Sequence, residues 1–279
     1  MITASMLADA VCAAVSEAAV TLRPDALAAL TVAEAAEPSE RGRGVLRQLL
    51  ENAAIAAGDR VPLCQDTGSA WVRIELGDGE CLPDDAQAIV DGAVARAYRD
   101  SGLRMSMVRD ALFDRSNTGD NTPAFLQIAT RRSPGAGIDV MLKGGGSDNA
   151  SALAMLPPSA GASGVAQFVL DTVLAKATGA CPPLVIGVAV GGTFDTVAGL
   201  AKKALLREVG SPAMTPAADA FERELLEAVN ATGIGPAGLG GRTTALAVHL
   251  VTAPCHIAAL PVAVNLGCCA MRSAHVELT

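Results

Sequence analysis

From about residue 120 onward the chain alternates short apolar runs with longer helical patterns, separated by turns that carry glycine or proline. Apolar runs bounded by such turns read as strands, which places strands at 125–129, 138–142, 184–190, 244–251 and 258–265. Amphipathic spacing places helices at 163–178, with Ser163 as N-cap, and at 194–208 and 216–231. The punctuating turns fall at 143–147, 157–164, 179–183 and 233–241. Upstream the pattern is different. Residues 4–22 are alanine-rich without glycine or proline, and Val45, Leu46, Leu49, Leu50 and Ala53 recur at helical spacing within 44–57. A third helix is expected to start at Asp84 as N-cap and to present Ile89, Val90, Val94, Ala97 and Tyr98. In 69–76, Val72, Ile74 and Leu76 alternate with Trp71, Arg73 and Glu75, the period of a strand. The expected fold is mixed α/β (α+β), a helical part over about 1–115 packed on a mixed β-sheet with helices over about 116–279, in one domain without a flexible boundary.

Composition narrows the partners. Aromatic residues make up 3 % and the net charge is -8, which argues against nucleic acid, since phosphates need basic patches and bases need stacking rings. Much of the 51 % hydrophobic content is alanine, so the core is expected to be built from small side chains. The first basic residue is Arg23, and Asp9 and Glu17 interrupt the early apolar stretch, so the layout of a signal peptide is missing and no membrane span is expected. The seven cysteines are an odd number and widely spread. Reduced thiols or metal ligands in a cytoplasmic chain are the expectation.

Cys12 lies on the apolar side of a helix and reads as a small buried thiol. Cys81, Cys255 and Cys269 have no distinctive setting. Cys64, Cys181 and Cys268 each fall in a turn. Cys64 lies in Pro62–Gly68 beside Gln65, Asp66 and Thr67, and Cys181 precedes Pro182 and Pro183, whose fixed backbone would aim the thiolate. Three thiolates are one short of closing a four-iron cluster and would leave one iron open to substrate. On spacing alone zinc competes, although the short paired spacing of zinc sites is absent. The loop Lys143–Asn149 offers glycine amides and a cation to an anion. Asn117–Pro123 reads as a capped loop. Gly233–Gly238 matches a dinucleotide fingerprint in form, but it follows a helix and contains Pro236. His249 reads as structural, whereas His256, at a strand entrance upstream of Cys268, could serve structure or function. Arg104 by itself reads as a solvated arginine.

Taken together, CQDTG at 64–68, LRMSMVRD at 103–110, NTGDNTPA at 117–124, KGGGSDN at 143–149 and the long blocks at 181–207, 233–249 and 256–272 resemble the class I, iron–sulfur-dependent fumarate hydratases, in their alpha-subunit form. The L-tartrate dehydratase alpha subunit is a close relative, in which the lysine-led glycine loop and the end of the NTGDNTP block are expected to differ. The resemblance implies Cys64, Cys181 and Cys268 as ligands of a 4Fe-4S cluster with one iron lacking a protein ligand. Cys269 departs from the family's usual aromatic or histidine. It further implies Asp66 and His256 as catalytic residues, and Gln65, Arg104 and Gly145 as substrate contacts. The implied reaction is reversible hydration of fumarate to L-malate, with L-tartrate or mesaconate as alternative substrates. A non-catalytic iron–sulfur protein, its cluster closed by Cys255 or Cys269, is the reading from a different class. Because the chain stops soon after Cys268, a separate beta subunit is expected, with an alpha–alpha dimer inside a heterotetramer.

Overall fold

Thr3 starts the first helix in the way a short hydroxyl side chain can: its oxygen accepts the Met6 N–H at 3.2 Å, a donor otherwise left over at a helix start. In the computed structural model, which describes residues 1–278, the chain runs through α1 (Ala4–Val20), α2 (Pro24–Ala36), α3 (Glu40–Asp59), β1 (Ser69–Leu76), α4 (Ala86–Asp100), β2 (Phe125–Thr130), β3 (Ala136–Lys143) and α5 (Gly145–Asn149). It continues through β4 (Ala152–Leu156), α6 (Gly161–Lys176), β5 (Leu184–Gly192), α7 (Phe194–Ala204), α8 (Pro216–Ala231), β6 (Ala245–Cys255), β7 (Leu260–Gly267) and β8 (Ser273–Leu278). The fold is mixed α/β, and its strands divide between two 4-stranded mixed sheets. The chain forms two compact units, one of residues 1–23, 53–145 and 272 onward, the other of 24–52 and 146–271.

In the first unit the strand order is β2-β1-β3-β8, with β1 parallel to β2, and β3 antiparallel to both β1 and β8. Strand alternation sends Ala70, Val72 and Ile74 of β1 and Ile138, Val140 and Leu142 of β3 to one face, where they bury with α1 and α4. On α1 the stripe Leu7, Val11, Ala14, Val15 and Ala18 meets this core, and its alanines allow close packing on α4. By length and composition Ala4–Ala36 would suffice to cross a membrane, contrary to the reading of the sequence; it is broken at residues 21–23, and the apolar face of α1 lies in the unit's own core. The opposite sheet face carries ions. Asp139 faces His275 across the β3–β8 ladder with their side chains 2.7 Å apart, and Arg131 pairs with Glu277 at 2.6 Å.

In the second unit the order is β4-β7-β5-β6, with β5 parallel to β6, and β7 antiparallel to β4 and β5. Val165, Val169 and Val173 of α6, with Leu225 and Val229 of α8, bury against Leu184, Ile186, Val188 and Leu266. Between α2 and α3, Glu37 is 1 % exposed, and its carboxylate accepts the N–H groups of Ser39 at 3.2 Å, Arg242 at 2.9 Å and Thr243 at 2.9 Å. His249 is buried with Nδ1 3.1 Å from the Ala204 carbonyl, which bears out its structural reading.

Several elements depart from the expectation. α2, α5, β4 and β8 were not foreseen, and α7 ends at Ala204. α4 is capped by Asp85, not Asp84; Asp85 has a left-handed backbone and makes no side-chain cap bond. α6 continues directly from the turn Pro158–Ala160, so Ser163 lies inside its first turn and donates to the Ala160 carbonyl at 3.2 Å instead of capping.

Two stability outcomes are expected. Arg131's hydrogen bond holds Glu277 down to about 2 against partial burial, so its contribution is complete above its ordinary value of 4.5 and fades as pH falls. For His275 burial acts to lower the pKa, but Asp139 and Glu277 outweigh it and raise the value. That contribution is complete below 6.5 and fades as pH rises through the raised value. The thermal-midpoint deficit of His275→Gln should therefore be larger at about pH 5.5 than at about pH 8, and a pH-independent deficit would contradict the assignment. Glu37→Gln should cost about 2 kcal/mol in urea unfolding, because one of the two acceptor oxygens becomes a donor facing backbone N–H groups.

Candidate active site

The turn before β1 is anchored from both ends. The side chain of Leu63 is buried, and its N–H bonds to the Ala19 carbonyl at 2.9 Å. Thr67 is buried, and its hydroxyl donates to the Arg104 carbonyl at 2.6 Å. Gly68 has φ +81°, and a Cβ there would sit 2.7 Å from the Lys143 carbonyl, so a residue with a side chain cannot make this passage. The Tyr98 hydroxyl donates to the Gly68 carbonyl at 2.7 Å, and Asn121 Nδ2 donates to the same oxygen at 3.1 Å. Asn121 Oδ1 in turn accepts the Ser106 N–H at 2.7 Å.

This frame aims Asp66. One carboxylate oxygen accepts the Gly68 N–H at 3.1 Å and pairs with Arg104 Nη2 at 3.0 Å; the other accepts the Gly145 N–H at 2.8 Å. The guanidinium of Arg272 donates to the Asp66 backbone carbonyl. Burial alone would raise the Asp66 pKa, but the Gly145 and Gly68 N–H groups and the charges of Arg272 and Arg104 more than offset it, so the carboxylate is held below its ordinary range. Asp66 is thus an ionised proton acceptor fixed by two amides, beside an arginine whose side chain is 58 % exposed. Cys64 is half-buried and Gln65 exposed on the same turn. Lys143, expected to lend a cation to the glycine loop, is 4 % exposed and does not present its side chain to solvent.

The second unit holds the other expected residues. Cys181 is exposed and takes a left-handed backbone at φ 56° after the turn Ala177–Ala180, and its carbonyl accepts the Cys269 N–H at 3.1 Å. Cys268 follows β7, and its backbone carbonyl accepts the Met271 N–H at 3.2 Å. The Cys181 and Cys268 segments are therefore joined. A Cβ on Gly146 would lie 2.7 Å from the Gly179 carbonyl, so the glycine loop packs closely on the turn leading to Cys181. His256 sits exposed in the β6–β7 turn, and its Nδ1 accepts the Ala258 N–H at 3.1 Å. A ring nitrogen that accepts from a backbone amide carries no proton, so Nε2 bears the N–H.

Among the described residues no three His, Cys, Asp or Glu side chains are gathered closely enough to hold a metal ion, and within the second unit the segments that carry Cys181 and Cys268 are joined. The chemistry of the donors nevertheless fits an iron–sulfur group, since the cysteines form no disulfides. Reading the sequence missed Arg272, Tyr98 and Asn121. For Tyr98 a signal existed: it is the single tyrosine, placed on an apolar helix face, where its hydroxyl must find a partner. Asn121→Ala should destabilise the chain by about 1–3 kcal/mol in chemical denaturation, because the Ser106 N–H loses its buried acceptor.

The family model described as Fumarate hydratase (Fumerase) matches residues 8–277. A protein of Methanocaldococcus jannaschii named "Putative L(+)-tartrate dehydratase subunit alpha" is 39 % identical over 274 residues, covering 96 % of each chain. The L(+)-tartrate dehydratase subunit alpha of Escherichia coli K12 is 34 % identical over 252 residues, covering 88 % of this chain and 82 % of that one.

Proposed function

Because the chain belongs to the fumarate hydratase (Fumerase) family and is a hydro-lyase of it, we propose that it interconverts fumarate and L-malate as the alpha subunit of a two-subunit enzyme. The observation that carries this reading is the Asp66–Arg104 pair, with Asp66 also bound to the Gly145 amide and two positions from Cys64. Adding water across a double bond flanked by carboxylates requires a grip on the carboxylates and a group that takes the proton from the adding oxygen. Arg104 offers its exposed fork of donors to one substrate carboxylate. Asp66, kept ionised, takes the proton of the adding oxygen in hydration and returns it to the departing hydroxyl in dehydration, while the proton on the neighbouring carbon is delivered and removed by an acid–base group of the proposed beta subunit. His256 contributes an Nε2–H donor, and Gln65 and the Gly145 loop complete the orientation of the dicarboxylate. Cys64, Cys181 and Cys268 are proposed to hold a 4Fe-4S cluster with one iron lacking a protein ligand, which when bound supplies a Lewis acid for the substrate oxygen.

Both named relatives are alpha subunits, which supports a beta subunit for this chain; an alpha–alpha dimer within a heterotetramer in the cytoplasm completes the proposal. Their names also favour a second reading, L-tartrate dehydration. The lysine-led glycine loop and the intact Asn121–Pro123 segment support fumarate instead. Tartrate and malate differ by one hydroxyl, and a site built to bond that hydroxyl rejects the analogue lacking it by about 10⁴-fold, whereas the methyl of mesaconate is worth about 10–200-fold.

Anaerobically reconstituted chain with its beta subunit should show the highest kcat/KM on fumarate, and a preference for tartrate would replace the substrate proposed here. Near-normal turnover by the reconstituted alpha chain alone would overturn the two-subunit reading. Asp66→Asn should lower kcat by about 10²–10⁴-fold at unchanged iron content.

A further inference from the structure

Behind Asp66 lies a buried cation. Arg272 is 3 % exposed and immediately precedes β8; its carbonyl accepts the Leu142 N–H at 2.9 Å, so its backbone is tied to β3. Its Nη1 donates to the Asp66 carbonyl. Its Nη2 approaches the other side of the same residue: a Cβ built on Gly144 would lie 3.2 Å from Nη2 and 3.1 Å from Asp66 Oδ2. Guanidinium, carboxylate and a bare glycine backbone therefore converge on one point. The Nε of Arg272 is buried without a hydrogen-bond partner. An unpaired buried donor weakens a fold, so a fully paired or apolar side chain would serve packing better.

The two arginines beside Asp66 differ in access. Arg104 is exposed and can turn to a substrate carboxylate, which would deprive Asp66 of one partner at the moment a proton is transferred. Arg272 is buried, bonded to the Asp66 carbonyl and tied by its own carbonyl to β3, and has no such access. We propose that Arg272 is a positioning residue that holds Asp66 in its proton-accepting geometry while Arg104 engages the substrate. This rests on the reading that Asp66 acts on the proton of the substrate oxygen.

Arg272→Gln and Arg272→Lys test it in two ways. In the reconstituted two-subunit enzyme, amide hydrogen exchange read by mass spectrometry on short peptides reports on Gly68 and Gly145, whose N–H groups bind the Asp66 carboxylate. Both amides should exchange about tenfold faster in Arg272→Gln, with β1 and β3 unchanged and Arg272→Lys intermediate. In the reconstituted two-subunit enzyme, kcat per cluster should fall about 100-fold in Arg272→Gln, and Lys should recover part of it. KM should move by less than about threefold. Unchanged exchange at Gly68 and Gly145, acceleration spread evenly over β1, β3 and β8, or an unchanged kcat per cluster would each overturn the proposal. Should Arg272→Gln fail to fold, Arg272→Lys carries the same two measurements, with smaller effects expected. Asp66→Asn separates the two ideas: if it keeps its kcat, the role of Asp66 is wrong, while the exchange data still judge whether Arg272 holds it.

Discussion

A carboxylate drawn out of water must regain the hydrogen bonds it gives up, or it takes on a proton and ceases to be a base. The Asp66 carboxylate regains them from backbone, through the Gly68 and Gly145 amides, and from Arg104, while Arg272 bonds the Asp66 backbone carbonyl and adds its charge. Backbone donors are rigid where side chains are not, so the carboxylate is oriented by the path of the chain itself. The path must in turn be held. Thr67, Tyr98 and Asn121 hold it through bonds to the main chain around Gly68 and Arg104, and each is buried. The Asp66 carboxylate is thus only as well placed as the turn 62–68, and the turn only as well placed as the core beneath it.

Close approach of backbone is the second theme, and the scarcity of large side chains permits it. At Gly68 a Cβ would strike the Lys143 carbonyl. At Gly187 one would collide with the Ala201 carbonyl, so α7 lies directly on β5. In the second unit Gly146 stands against Gly179, and Gly267 against Met271 and Val185, beside the segments that carry Cys181 and Cys268. Such positions recur beside the segments that carry Cys64, Cys181 and Cys268. Chains that pass this close have few alternative paths, which keeps the reactive groups in one register.

Much of the fold was legible because its cause is local. β1 and α8 lie where alternation and helical spacing put them, and α8 begins at Pro216 behind the Thr215 cap. α2 escaped because its own apolar residues are spread around the whole helix and leave no stripe to detect. β8 alternates Ala274, Val276 and Leu278 with His275 and Glu277, but six residues at a chain end are too short a run to claim without the ladder to β3. Ser163 and Asp84 show the limit of cap reading: a hydroxyl or carboxylate near a helix start is a competent cap, and the chain before it decides whether it is used.

Local pattern along the chain was enough to read the fold class, the positions of most elements and the residue types of the candidate site, including Asp66 and Arg104, which prove to be paired. These follow from periodicity and from motifs whose residues are neighbours in the chain. The tertiary structure alone decided what Asp66 bonds to, since its partners Arg104, Gly145 and Arg272 lie 38, 79 and 206 residues away. The order β1-β3-β8 brings the starts of β1 and β8 beside the end of β3, and with them Asp66, Arg272 and Gly145. Strand order depends on which apolar faces bury together over the whole chain, and no local pattern encodes it.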